Sequence, residues 1–357
     1  MSKGDGMTYA PKGRVAPVCG VGEFRVGVIG LDHGHIVGMC NGLAEAGAQL
    51  DSVYDPDPAK RAAFVERFPE VRIAPSAEAI LEDPRLQMVA SAIVPCDRGG
   101  LAVRALQAGK HFFSDKPPVH TLADLDRVRR AVAETRRRLA VYYSERIHSE
   151  AGVRAGRLIR DGAIGQVLQV VGLGPHRLNA SARPPWFWNR ANYGGILADL
   201  GCHQIEQFLH FCGSEQARLL HSKVANYHHA EHPEFDDFAD ATFLADNGAT
   251  LYLRVDWFTP DGLRAWGDGR TFVLGTEGSL ELRKYLDVAR EAEGDHIYLV
   301  DARGEHHLRV HGQEGFPFFG QLIRDCLDGT DLSMPQQRAF HVIELALQAQ
   351  VAALRIR

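Results

Sequence analysis

Three groups of residues in this chain have the types and spacing for chemistry. In "VGVIGLDHGH" (Val26–His35) an apolar run reaches a glycine and then offers a carboxylate and two imidazoles, Asp32, His33 and His35. In "GKHFFSDKPP" (Gly109–Pro118) another apolar run ends in Asp115-Lys116-Pro117. The third, "GGILADLGCHQIE" (Gly194–Glu206), carries Asp199 and His203 four residues apart. On a helix, or with Asp199 at its cap, those two face the same way. Lysine, aspartate and histidine together suit the oxidation of an alcohol. Histidine can take the hydroxyl proton near neutral pH, lysine can stabilise the developing alkoxide, and aspartate can orient either partner.

The first group is close to a dinucleotide-binding turn. In the G-x-G-x-x-G fingerprint the first glycine makes the tight bend, the second lets the backbone approach the pyrophosphate, and the third lets the helix pack on the strand. Here those positions hold Gly30, Asp32 and His35. A carboxylate beside a diphosphate is unfavourable unless it points away or is paired. In the turn's favour, the helix that follows offers free N–H groups and its positive dipole end to phosphate. Asp55 also closes the second strand at about the spacing of a ribose-binding acid. His33 and His35 are expected to touch phosphate or ribose, or to cap the helix. With Asp32 they are metal-competent types, but adjacent ligands in one turn rarely converge, so no metal is expected.

Strands and helices must alternate to hold these groups in place. From Phe24 to about Tyr143, short apolar runs such as "FRVGVIG", "AQLDSVYD", "QMVASAIV", "HFFSD" and "RLAVYY" are separated by amphipathic stretches. That rhythm implies a parallel sheet covered on both faces, which binds ligands at the carboxyl ends of its strands. After about Glu145 the segments lengthen and alternate, and "DNG" (Asp246–Gly248) is a hairpin turn between two of them. The expected fold class is therefore α/β plus α+β. Residues 1–23 form a flexible extension and 24–145 a doubly wound Rossmann domain. Residues 146–357 form a domain with a large, mostly antiparallel sheet and helices on one face.

Composition narrows the function classes. The chain has 357 residues, enough for two domains with sizeable cores, and is 45% hydrophobic and 24% charged. A net charge of −5 gives no general pull toward nucleic acid or anionic membrane, so neither is an expected partner. The basic run Arg127–Arg138 shares its segment with Leu122, Leu125, Val128 and Val132 at helical spacing and reads as a solvated face. Six cysteines without CxxC spacing suit a reducing cytosol, and a cytoplasmic location is expected. The first twenty residues lack an apolar core, so no signal peptide is expected. No apolar run approaches the roughly 18 residues of a membrane span.

Taken together and in order, the motifs resemble those of the glucose–fructose oxidoreductase, inositol dehydrogenase and MocA-like (Gfo/Idh/MocA) oxidoreductases, from Phe24 nearly to the C-terminus. The family's E-K-P is matched by Asp115-Lys116-Pro117. Its D-x-G-x-H-x-x-D is matched by Asp199, Gly201, His203 and Glu206, behind a Gly-Gly pair. "AGKHFF" and "DGAIGQVLQV" match the approach to the lysine and the lead into the second sheet. The resemblance implies Lys116, Asp199 and His203 as the catalytic trio, with Asp115 and Lys116 beside the cofactor. It implies Asp55 on the adenosine ribose, hence NAD rather than NADP, and Pro95 beside the nicotinamide. It also implies a homodimer or homotetramer. Two departures stand out. Val94-Pro95-Cys96 and Gly99 replace T-P-N-x-x-H, and Arg146-Ile147-His148 replaces an arginine followed by an aromatic and a proline.

On the substrate side, "RPPWFWNRANYGG" (Arg183–Gly195) precedes the Asp/His motif. Trp186, Trp188 and Tyr193 could face a sugar ring, and Asn189 and Arg190 its hydroxyls. The histidines 228, 229 and 232, and 306, 307 and 311, read as surface or core residues rather than metal ligands. The expectation is an NAD(P)-dependent oxidoreductase moving a hydride between nicotinamide and a sugar, polyol or sugar derivative. Two other readings are a family member that retains and recycles its NAD(H) for epimerisation or elimination, and a non-catalytic ligand sensor on the same fold.

Overall fold

The computed structural model describes residues 6–13, 16–291 and 294–356. Two compact units emerge: Met7–Tyr142 with Phe316–Phe340, and Tyr143–Gly315 with His341–Arg357. The first contains β1 (Arg25–Ile29), α1 (His35–Glu45), β2 (Gln49–Tyr54), α2 (Pro58–Arg67), β3 (Arg72–Ile73), α3 (Ala77–Leu81) and β4 (Met88–Ser91). It continues with α4 (Pro95–Gln107), β5 (His111–Ser114), α5 (Leu122–Thr135) and β6 (Leu139–Val141). Its strands form a parallel sheet in the order β3-β2-β1-β4-β5-β6. Every residue of β4, β5 and β6 is buried, because helices cover both faces, and this is why these strands read as unbroken apolar runs. The order reverses between β1 and β4, and the Gly30–His35 turn leaves the sheet there.

The second unit holds α6 (Ser144–Ile147), α7 (Glu150–Arg160), β7 (Val167–Pro175), α8 (Arg190–Tyr193) and α9 (Cys202–Cys212). Next come β8 (Ala217–Ala225), β9 (Phe238–Ala245), β10 (Thr250–Asp256), β11 (Arg270–Gly275), β12 (Gly278–Arg283), β13 (His296–Asp301) and β14 (Gly304–Arg309). The chain ends in α10 (Pro317–Asp328), α11 (Gln336–Ala352) and β15 (Leu354–Ile356). The nine-stranded sheet runs β14-β13-β12-β11-β7-β10-β9-β8-β15. It is mostly antiparallel, with parallel pairing of β7 with β10 and of β8 with β15. Gly172 and Gly174 of β7 leave room for Gln204 of α9, whose side chain would collide with a Cβ at 174 and crowd one at 172. Alternate strand residues on this sheet leave Leu168, Tyr252, Phe272, Leu274 and Val300 exposed.

Two boundaries differ from the sequence reading. Residues 316–340, expected in the second domain, belong to the first unit. Phe318 and Phe319 of α10 pack on Phe113, and Phe319 also meets Tyr142 and the bare backbone of Gly42 on α1. Parts of the expected flexible extension, 1–5 and 14–15, lie outside the described residues. The described remainder lies along α1: the Val18 N–H donates to the Ala46 carbonyl and the Gly13 N–H to Glu45, both at 2.9 Å.

Candidate active site

Gly30 ends β1 at φ +85°, and a Cβ there would come within 1.8 Å of Ile93 Cγ2. Glycine is therefore required for the turn to pass beside the end of β4. Asp32, at the second glycine's position, is paired. One carboxylate oxygen lies 2.5 Å from Lys60 Nζ, and the other accepts the Val94 N–H at 3.3 Å. Asp55 is only 1% exposed and braces the turn, accepting the Leu31 N–H at 2.7 Å and the Asp57 N–H at 2.9 Å. In this arrangement each of its oxygens takes one backbone amide.

The amides of the turn divide into used and unused. Besides Leu31, the His33 N–H donates to the Ala92 carbonyl at 3.0 Å, and those of Ile36 and Val37 to the His33 and Gly34 carbonyls. Among the described residues, no acceptor takes the amides of Asp32 and Gly34. Two free N–H groups at the start of α1, with the neighbouring carboxylate neutralised by Lys60, suit an anion such as a pyrophosphate. The departures from the fingerprint are thus compatible with a nicotinamide dinucleotide.

His33 and His35 meet Asp115, which is wholly buried. His33 Nδ1 lies 3.1 Å from one Asp115 oxygen and His35 Nδ1 2.8 Å from the other. Arg98, equally buried, adds its Nη2 at 3.0 Å, and the Lys116 N–H donates to Asp115 at 2.8 Å. Arg98 also donates to the carbonyls of Ile93 (2.7 Å), Lys116 (2.5 Å) and Pro117 (3.0 Å), so one guanidinium ties the end of β4 to the backbone of Lys116. Burial works against the Asp115 charge, but His33, His35 and Arg98 outweigh it and hold the carboxyl well below its ordinary pKa. Burial, only partly offset by Asp115, pushes the His33 imidazole down to about 4. His33, His35 and Asp115 are close enough to hold a metal ion. An ion there would sit against the Arg98 guanidinium, so the arrangement fits a hydrogen-bonded network better.

Asp199 lies in a single wide turn of π type (Leu197–Gly201) that runs on into α9, and His203 in the first turn of that helix. Gly201, not Asp199, stands at the cap. Both side chains are buried, at 9% and 1% exposed. Tyr143 sets its ring edge-on to His203 at 6.2 Å, and burial, then Cys202 and Glu206, raise the tyrosine pKa well above its ordinary value. Arg146 of α6, in the departing Arg146-Ile147-His148 stretch, closes on Glu206 of the Asp/His motif, its Nε 2.7 and 2.8 Å from the two carboxylate oxygens. The structure thus joins Asp199, His203 and Glu206 on one helical stretch of the second unit. Lys116 stands in the first unit with Asp115 and the turn histidines; Pro95 opens α4 there.

The aromatic segment comes out differently. Tyr193 is buried, and its Oη accepts the Asp236 N–H at 3.0 Å. Asn189 caps α8 by accepting the Ala191 N–H at 2.9 Å, and Arg190 donates to the Glu234 carbonyl at 2.8 Å and faces Asp236. Trp188 stacks on His232 at 3.9 Å. Of the five expected substrate residues, Trp186 and Trp188, both half-buried, make no polar bond of the fold among the described residues. The other histidines also have local partners: His229 lies against Asp237, His306 against Asp301, and His307 stacks on Tyr298.

Sequence reasoning missed Arg98 and Lys60. Arg98 sits between the positions compared with the family's T-P-N-x-x-H, and its burial is visible only in the fold. Lys60 lies 28 residues from Asp32, and no local spacing connects them. A third omission is Lys284, fully buried and 2.5 Å from Glu145.

Comparison with known proteins agrees with this architecture. Residues 24–143 match the oxidoreductase family with the NAD-binding Rossmann fold, and residues 153–281 the GFO/IDH/MocA C-terminal domain. A solved putative oxidoreductase from Erwinia carotovora atroseptica has a TM-score of 0.91 at 50% identity, over 94% of this chain and 100% of that one. The NADP(+) scyllo-inositol 2-dehydrogenase of Bacillus subtilis is 28% identical over 154 residues, 42% of this chain and 41% of that protein. The NAD(+) enzyme of the same name and organism is 25% identical over 264 residues, 72% and 71%. Another dehydrogenase relative is matched over only 34% of its length. Among the described residues, no helix is long and apolar enough to cross a membrane. On these matches and its own two-unit fold, the chain belongs to the Gfo/Idh/MocA oxidoreductase family, with an NAD(P)-binding Rossmann unit at its N-terminal end.

Proposed function

We propose that the chain is an NAD(P)-dependent dehydrogenase or reductase acting on a carbinol group of a sugar, polyol or sugar derivative. The observation that carries this reading is that, within one unit, an anion-ready turn with two unused amides is linked through Asp115 to the backbone of Lys116. The scyllo-inositol 2-dehydrogenases among its relatives point to cyclic polyols and sugars as the first substrates to try. A bound nicotinamide supplies the hydride acceptor or donor. Lys116 stabilises the substrate oxygen as it gains charge, His203 takes or returns the hydroxyl proton, and Asp199 orients His203 or a substrate hydroxyl. Trp186 and Trp188 are the remaining aromatic candidates for the sugar ring.

We place the nucleotide-binding function in the unit that holds residues 24–142, and substrate binding and oligomerisation in the unit that holds residues 143–315. The exposed apolar face of the second sheet supports a homodimer or homotetramer. Six free cysteines suit the cytoplasm. NAD is preferred to NADP in this reading because the Asp55 charge at the end of β2 opposes a 2′-phosphate, even with its oxygens engaged. The test is a titration of purified protein with NADH and NADPH, after assay for nucleotide already bound. Micromolar NADH binding, weaker for NADPH, supports the reading and opens a polyol screen. Retained, non-exchanging nucleotide points to internal recycling. No binding and no retained nucleotide overturns it.

A further inference from the structure

The roles above leave the two turn histidines unused. Asp115 is crowded: His35, Arg98 and the Lys116 amide bond to its two oxygens, and His33 Nδ1 lies 3.1 Å from one of them, against about four lone-pair directions. A histidine that gives its Nδ1 hydrogen to a carboxylate is neutral and presents its Nε2 lone pair on the opposite side of the ring. The His35 N–H also approaches His33 Nδ1, at 3.3 Å, which would make that atom an acceptor. The shorter 3.1 Å contact with a buried carboxylate decides the tautomer, because setting a lone pair against a buried anion costs more than loosening one amide contact. The unused amides of Asp32 and Gly34 flank His33 on either side. A phosphate held by them brings the sugar attached to it beside the His33 ring.

We propose that Asp115 is a positioning residue that fixes His33 as the Nδ1–H tautomer, so that His33 Nε2 accepts a hydrogen bond from a hydroxyl or N–H donor of the bound nucleotide. This rests on the nucleotide-binding reading above. It gives the exchange of glycine-turn residues for histidines a purpose: where the common fingerprint offers bare backbone, this turn offers a neutral acceptor. The shared chemistry is a donor on the ligand, from either a ribose hydroxyl or the nicotinamide carboxamide.

The experiment has a protein arm and a ligand arm, both on the full chain. Nitrogen-15 NMR of histidine-labelled protein, with His33 assigned by its loss in His33→Gln, reads the tautomer. The expected result is Nδ1–H in the wild type and a change of tautomer in Asp115→Asn. Calorimetry then compares NADH with analogues lacking one donor: a deoxyribose at either sugar, or an acetyl group in place of the carboxamide. One analogue should bind the wild type about 2- to 12-fold more weakly, the effect of one hydrogen bond. It should bind His33→Leu with no further loss, and its identity names the donor. Equal losses for every analogue in wild type and His33→Leu would overturn the proposal, as would an Nε2–H tautomer in wild type. Absence of nucleotide binding with the Nδ1–H tautomer intact would instead sink the proposed function and the ligand half of this inference, leaving the positioning role of Asp115 standing.

Discussion

The Gly30–His35 turn and the Arg183–Gly195 segment are both dense in the residues that bind ligands, yet they use them in opposite ways. In the second, Tyr193, Asn189 and Arg190 spend their hydrogen bonds on Asp236, a helix cap and the Glu234 carbonyl. In the first, the side chains pair with Lys60 and Asp115 from outside the turn, and among the described residues two backbone amides remain unspent. Residue type alone made both look like binding sites. Leftover hydrogen-bonding capacity separates them, because a polar group already satisfied by the fold has little to give a ligand.

The largest expected effect tests whether the first region serves chemistry. Lys116→Met should lower kcat by roughly 10²- to 10⁴-fold while leaving NADH affinity within about threefold. Steady-state kinetics on a substrate from the polyol screen, beside an NADH titration, reads both numbers. An unchanged kcat would leave the turn and its lysine as scaffold, like the aromatic segment.

Next in size is a pH effect confined to the first unit. His33 and His111 are each buried and lowered to about 4, against an unfolded value near 6.5. Between those values the unfolded chain binds more protons than the folded one. Stability is therefore full above about pH 6.5 and is lost as pH falls toward 4, by at most roughly 3 kcal/mol per group. Urea unfolding at pH 7, 5.5 and 4.5 should show the slope, and His33→Gln should flatten part of it. A slope unaltered in that variant would mean His33 is not held neutral by the network.

Asp236→Ala tests the other side of the comparison. It strips a buried acceptor from Arg190, Arg355 and Gln350. Because the arginines are 31% and 41% exposed and water can replace part of the loss, roughly 2 kcal/mol of stability should go, less than for a fully buried pair. Nucleotide affinity should not change. A variant that kept its stability but lost ligand binding would return this segment to the list of binding surfaces.

The sequence made the sheets legible because apolar runs and alternation report burial directly. β4, β5 and β6 read as continuous apolar runs and are buried throughout, and the "DNG" hairpin falls between β9 and β10. The motifs around Lys116, Asp199 and His203 stand out in the sequence because local spacing carries them, whatever role the three residues prove to have. What spacing cannot carry is partnership across the chain. Lys60 finds Asp32 from 28 residues away, Arg98 reaches Asp115 across 17, and Arg146 meets Glu206 across 60. The burial of Asp55 and Tyr193 was illegible for the same reason: their acceptors and donors are backbone groups that only the folded chain brings near.

Lys60 gives the finest test of the comparison. Asp32 stands where the fingerprint has glycine, and its charge is tolerable beside an anion only because Lys60 lies against it. Lys60→Ala should therefore weaken NADH binding more than the loss of one exposed lysine would. The Lys60 side chain is 37% exposed, so screening limits the effect to about tenfold, shrinking as salt is raised. Asp32→Gly should bind NADH at least as tightly as wild type, and Asp32→Gly with Lys60→Ala should recover most of what Lys60→Ala alone loses. That non-additivity distinguishes charge compensation from direct phosphate contact by Lys60, for which the double variant would stay weak. Calorimetric titration of the four proteins at two salt concentrations decides between them. Recovery would mean the altered turn carries its own correction for the glycine it lacks, assembled from a residue that no local motif includes.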